Sequence, residues 1–156
     1  MKVIFLDIDG VLNFAGTEAR APGGCLGIAE PCVKRLRRIV DNTGAKIVLT
    51  STWKDEWCFD ESSCSAMGIY LVKKLKRHGM HILDKTKDHV DNRGEGIIEW
   101  LQRHDNVRDW IVLDDDTFRD YDRCGIMPRF IHTSFANGLQ DEHVQSAIKL
   151  LNENDE

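Results

Sequence analysis

Residues 3–13 read Val-Ile-Phe-Leu-Asp-Ile-Asp-Gly-Val-Leu-Asn, and no other stretch of the chain limits its fold so sharply. A short apolar run rich in β-formers ends abruptly in two carboxylates two residues apart, followed at once by glycine. Such a run predicts a buried strand, and Gly10 lets the chain turn sharply as it leaves the sheet. Alternation in an extended strand would point Asp7 and Asp9 to one side, so that both face a site at the strand's carboxyl end. Two clustered carboxylates repel unless a cation or a shared proton compensates them. The arrangement therefore predicts either a bound metal or an acid/base pair.

The 156 residues suit one domain, 1–156, with a sizeable core, and 42% hydrophobic with 30% charged residues is ordinary for a soluble globular protein. A net charge of −5 argues against a general binder of nucleic acid or membrane surfaces. No apolar run approaches membrane-spanning length, and the first apolar segment is too short for a signal peptide. The five cysteines (25, 32, 58, 64 and 124) are odd in number and form no CxxC pair. They read as reduced thiols in a cytoplasmic protein, with Cys58 and Cys64 close enough in sequence to merit a thiol assay.

Downstream, apolar strands and amphipathic helices alternate. Helical spacing is expected over residues 30–42, 66–78, 94–103 and 141–152, and strands over 46–51, 80–83 (an edge strand), 110–113 and 129–133. This βαβ order predicts a three-layer α/β/α, Rossmann-like fold with a mostly parallel five-stranded sheet. In such sheets ligands bind at the carboxyl ends of the strands, where connections switch direction. Asp7/Asp9, Thr50/Ser51 and Asp114/Asp115 all fall at such ends, a coincidence that solvated turns do not explain.

With these motifs in this order, the chain resembles the haloacid dehalogenase superfamily, whose members are mostly Mg2+-dependent phosphohydrolases. It is similar in particular to the small phosphatase domains of RNA-repair proteins. The resemblance implies that Asp7 is a nucleophile forming an aspartyl-phosphate, and that Asp9 is the general acid and then the base. Crowding is expected to raise the Asp9 pKa, and a dehalogenase would lack an acid at this position. It implies Thr50, or Ser51 beside it, as the hydroxyl that binds the phosphoryl group. It implies a Mg2+ site made of the Asp7 carboxylate, the Asp9 carbonyl and Asp114, with Asp115 as an outer or alternate ligand. Arg93 is the expected third-motif cation, Lys85 and Lys87 being rivals; the superfamily more often has lysine there.

The segment 14–29 is loop-like and too short for a cap domain, and 54–91 holds only one helix and a short strand that the sheet itself can absorb, so a minimal cap or none is expected. An open site admits a phosphate on a large molecule, whether a protein side chain or a nucleic-acid end. Trp53, Trp57 and Phe59 are candidates for an apolar wall beside the substrate or for plain core. The basic run Lys73-Lys74-Lys76-Arg77 reads as a solvated helix face. Two other classes share parts of this pattern: a phospho-receiver-like domain and a catalytically silent phosphate-binding module. A receiver, however, groups adjacent acids ahead of its phospho-acceptor strand.

Overall fold

Every residue of the first strand, β1 (Lys2–Leu6), is buried, as a central strand covered on both faces requires. The computed structural model describes residues 1–87 and 91–155. Around β1 stand β2 (Lys46–Leu49), β3 (Ile82–Lys85), β4 (Asp109–Asp114) and β5 (Phe130–His132), in the spatial order β3-β2-β1-β4-β5 with every pairing parallel. The connecting helices are α1 (Glu30–Thr43), α2 (Ala66–Lys76), α3 (Arg93–Gln102) and α4 (Asp141–Asn152). The three-layer α/β architecture is thus present, with a sheet that is parallel throughout.

Alternation sorts the strand side chains between two cores. Ile4, Leu6, Ile47, Leu49, Ile111 and Leu113 pack on one face against Leu36 and Ile39 of α1, Leu71 and Leu75 of α2, and Val144 and Leu151 of α4. Val3, Phe5, Val48 and Val112 face the other way, onto Ile97 and Trp100 of α3 and onto Tyr121 and Ile126 of the loop after β4. The strand expected at 80–83 lies two residues later, still at the sheet edge. Gly79 is left-handed (φ 68°) and the Met80 amide donates to the Leu75 carbonyl, so the chain is still closing α2 at residue 80.

No cap domain interrupts this frame among the described residues. Between β1 and α1 the chain makes one 3-10 turn, Pro22–Gly24, and between β2 and β3 two more, Thr52–Glu56 and Glu61–Ser63, before α2. Trp53, Trp57 and Cys64 from the latter stretch belong to the main core. Residues 88–90, within the segment considered for a cap, lie outside the described residues. None of the described helices is long and apolar enough to cross a membrane.

Candidate active site

Register brings the polar strand ends to one level. Leu6 is paired with Leu49 and with Leu113, and the ladder runs on through Asp7 N to Leu113 O (3.0 Å), Thr50 N to Leu6 O (3.0 Å) and Thr86 N to Leu49 O (3.0 Å). Residues 7, 50 and 114 therefore emerge side by side. The strand order reverses between β1 and β4, which is where open α/β sheets form a crevice.

Asp7 and Asp114 are buried, at 6% and 0% exposure. Their carboxylates and that of Asp115 hold oxygens within 4.8 Å of one another, a grouping that suits a hard cation. Gly10 permits the grouping twice over. Its φ of 81° is left-handed, and a Cβ there would meet Asp115 Oδ2 at 2.1 Å. Burial first, then the Asp114 charge, push the Asp7 pKa up to about 8 in spite of Arg93. Burial and Asp114 likewise raise Asp115. A bound divalent cation would relieve this repulsion, so the donor set fits Mg2+.

Arg93 opens α3 and is buried. Its Nη1 reaches Asp114 Oδ2 at 2.8 Å and Asp7 Oδ1 at 3.2 Å, and its guanidinium carbon lies 4.2 Å from the Phe118 ring centroid. Burial alone would lower its pKa, but Asp7 and Asp114 outweigh that and hold it above its ordinary value. A cation at a helix N-terminus opposes the helix dipole. Asp120 offsets this by accepting from the Gly94 and Glu95 amides (3.0 and 2.8 Å), an approach that a Cβ on Gly94 would crowd at 2.9 Å. The rival lysines stand elsewhere. Lys85 Nζ donates to the Lys54 and Trp57 carbonyls, while Lys87 is exposed beside Phe59 and Arg103.

Thr50 and Ser51 are both buried but differ in what they do. Ser51 Oγ accepts the Trp53 amide (3.2 Å) and caps the following turn. Thr50 Oγ1, Arg93 Nε and Trp57 Nε1 are buried with no hydrogen-bond partner among the described residues, and the first two belong to residues at the strand-end crevice, as groups awaiting a ligand there would. Asp9 does not join the buried acids. It is exposed; its Oδ1 accepts from Asn13 Nδ2 (2.8 Å) and its Oδ2 from Trp53 Nε1 (3.2 Å). The crowding expected at Asp9 falls on Asp7, and Asp115 rather than the Asp9 side chain completes the acidic cluster. Asp116 points its amide back to Asp114 Oδ1 (3.0 Å).

Three neighbours escaped the sequence reading. Tyr121 is buried and donates to Asp114 Oδ2 (3.1 Å), and burial together with Asp114 pushes its pKa up. Phe118 lies over Arg93. Lys54, buried after the Thr50-Ser51 pair, has its pKa lowered to about 8 by burial and then by the Arg93 charge, with Asp7 acting in the opposite sense. Its ammonium donates to Thr86 Oγ1 at 3.5 Å. A lysine flanked by Trp53 and Trp57 in a strand-end turn was the available signal. Phe118 and Tyr121 had none, because they reach the site from a loop. Trp53 and Trp57 are buried, Phe59 is 71% exposed, Lys73 and Lys76 are exposed on α2 with Lys74 half-buried, and Arg77 is exposed just past its end. All five cysteines are free, and Cys64 Sγ accepts the Cys58 amide at 3.1 Å.

A parallel sheet with a buried acid cluster, a cation and a hydroxyl at its switch point defines a haloacid-dehalogenase-type domain, a class composed largely of phosphohydrolases. The chain belongs to the family described as the HAD domain in Swiss Army Knife RNA repair proteins, matched over residues 3–144. No curated protein and no solved structure matches the chain.

Proposed function

We propose that this domain, read as a single unit over 1–156, is a Mg2+-dependent phosphomonoesterase acting through an aspartyl-phosphate on Asp7. The observation that carries this reading is a buried carboxylate, Asp7, at the strand end beside Thr50 and ion-paired to Arg93, whose Oγ1 and Nε respectively are buried and without a partner among the described residues. A tetrahedral phosphoryl group would satisfy both donors.

In the first step an Asp7 oxygen attacks phosphorus, the ester P–O bond breaks, and Asp9 gives its proton to the departing oxygen. In the second, water attacks the phosphorus, Asp9 takes a proton from it, and the Asp7–phosphorus bond breaks to release phosphate. Arg93 offsets the charge of Asp7 and Asp114, and its free Nε and the Thr50 hydroxyl hold the phosphoryl oxygens. Asn13 and Trp53 orient Asp9 from both carboxylate oxygens. Mg2+ would be held by Asp7, Asp114 and the Asp9 carbonyl, with Asp115 beside them, and would neutralise charge developing on the phosphoryl group.

The family's RNA-repair context and the absence of a folded cap among the described residues favour a phosphate on a nucleic-acid end over one on a protein side chain. Free thiols suit a reducing compartment such as the cytoplasm. The test is phosphate release from p-nitrophenyl phosphate with Mg2+ and with excess EDTA. Turnover that needs the metal is expected. Turnover unaffected by chelator would sink the metal assignment, and none under either condition would favour a silent binding module.

A further inference from the structure

Phe135 is a large apolar side chain left 48% exposed, and it belongs to neither apolar core. The turn that carries it is held without its ring: the Gly138 amide donates to the Ser134 carbonyl (2.7 Å), the Asn137 amide to Ser134 Oγ (3.3 Å), and the Phe135 carbonyl accepts from Ala15 (2.8 Å). The ring is therefore not needed to form its own turn. It lines a cleft of about 400 Å³ together with Cys25, Leu26, Trp53 and Met67, and the cleft's remaining wall is Asp9. That volume falls in the range of roughly 300–1,000 Å³ typical of small-ligand sites.

We infer that this cleft receives the nucleoside of a phosphorylated nucleotide or strand end while its phosphate lies against Asp7. The inference rests on the phosphatase reading and names the substrate class of that site. If Asp9 protonates the leaving oxygen, the group attached to that oxygen must extend past Asp9, and the cleft is what lies there. Its walls are aromatic and aliphatic, with one acid and no cation. A leaving group bearing further negative charge at that point is disfavoured, whereas a flat neutral ring can stack on the exposed Phe135 ring beside the apolar wall formed by Leu26, Trp53 and Met67. A general acid matters most when the leaving oxygen would depart as a basic alkoxide. A base carried on a sugar alcohol meets all three conditions; the phenol of a phosphotyrosine meets only two.

The test compares adenosine monophosphate, glycerol phosphate and phosphotyrosine on the wild type, Phe135→Ala and Phe135→Tyr. Stacking is worth roughly 1–3 kcal/mol per base, so kcat/KM for adenosine monophosphate should exceed that for glycerol phosphate by about 5- to 150-fold. Phe135→Ala should remove most of this gap by costing adenosine monophosphate far more than glycerol phosphate, and Phe135→Tyr should keep it. Equal rates for the two alkyl esters, equal losses for both in Phe135→Ala, or a preference for phosphotyrosine would each overturn the inference. Calorimetric binding to Asp7→Asn separates the pocket from the chemistry. If Phe135-dependent binding of adenosine monophosphate appears where wild-type enzyme hydrolyses nothing, the pocket stands and the phosphatase reading falls. Binding indifferent to Phe135 in an active enzyme does the reverse.

Discussion

Replacing Asp7 by asparagine should stabilise the metal-free protein while abolishing turnover. The folded-state pKa of Asp7 is about 8 against an ordinary value of 3.8, because the carboxylate is buried against Asp114. Between these values the folded state keeps a proton that the unfolded state has lost, so stability falls as pH rises. It is unaffected below about pH 4 and levels off above about pH 8. From 3.8 to pH 7, at about 1.36 kcal/mol per pH unit, the loss is about 4 kcal/mol. A neutral amide of the same size carries no such penalty. With roughly 2–4 °C per kcal/mol for a domain of this size, the variant should melt about 8–16 °C higher at pH 7 without metal. The assay is thermal unfolding of both proteins from pH 4.5 to 8 in EDTA, then with Mg2+. The wild type should lose stability across that range and regain it with Mg2+, while Asp7→Asn should lose much less, what remains coming from groups such as Asp115. An Asn variant less stable than wild type at pH 7 in EDTA, or a wild-type curve flat in pH, would refute the reasoning.

Other substitutions separate the remaining roles. Asp9→Asn should cost about 10²–10⁴-fold on an alkyl phosphate. On p-nitrophenyl phosphate it should give a burst of p-nitrophenol followed by slow turnover; equal losses with no burst would move the acid/base role elsewhere, first to Asp115. Thr50→Val should leave the denaturant midpoint unchanged or higher, since Oγ1 has no partner to lose, yet lower kcat by about 10- to 150-fold if the hydroxyl bonds a charged phosphoryl group, a bond worth roughly 1.5–3 kcal/mol. Loss of stability without loss of kcat would make that hydroxyl structural. Gly10→Ala should cost about 1–2 kcal/mol in urea unfolding for its left-handed backbone alone. It should also raise the Mg2+ needed for half activity, because the new Cβ displaces Asp115; unchanged metal dependence would take Asp115 out of the metal site.

What the sequence determined by itself is what depends on spacing along one element. Apolar runs at 3–6, 47–49 and 110–113, closed by polar residues and separated by helical spacing, were enough for a parallel sheet with Asp7, Thr50 and Asp114 at its carboxyl edge. Element ends slipped by two residues where a left-handed glycine prolonged a turn, as before β3. Tertiary structure alone decided which polar groups touch. Periodicity places Asp9 beside Asp7, but the sharp turn at Gly10 sends Asp9 out to Asn13 and Trp53 and admits Asp115 in its place. Phe118, Tyr121 and Phe135 approach from loops, whose paths follow from packing and backbone hydrogen bonds rather than from any repeat in the sequence. The charge state of Asp7 is likewise a property of the assembled site, because burial and the neighbouring Asp114 arise only when β1 and β4 come together.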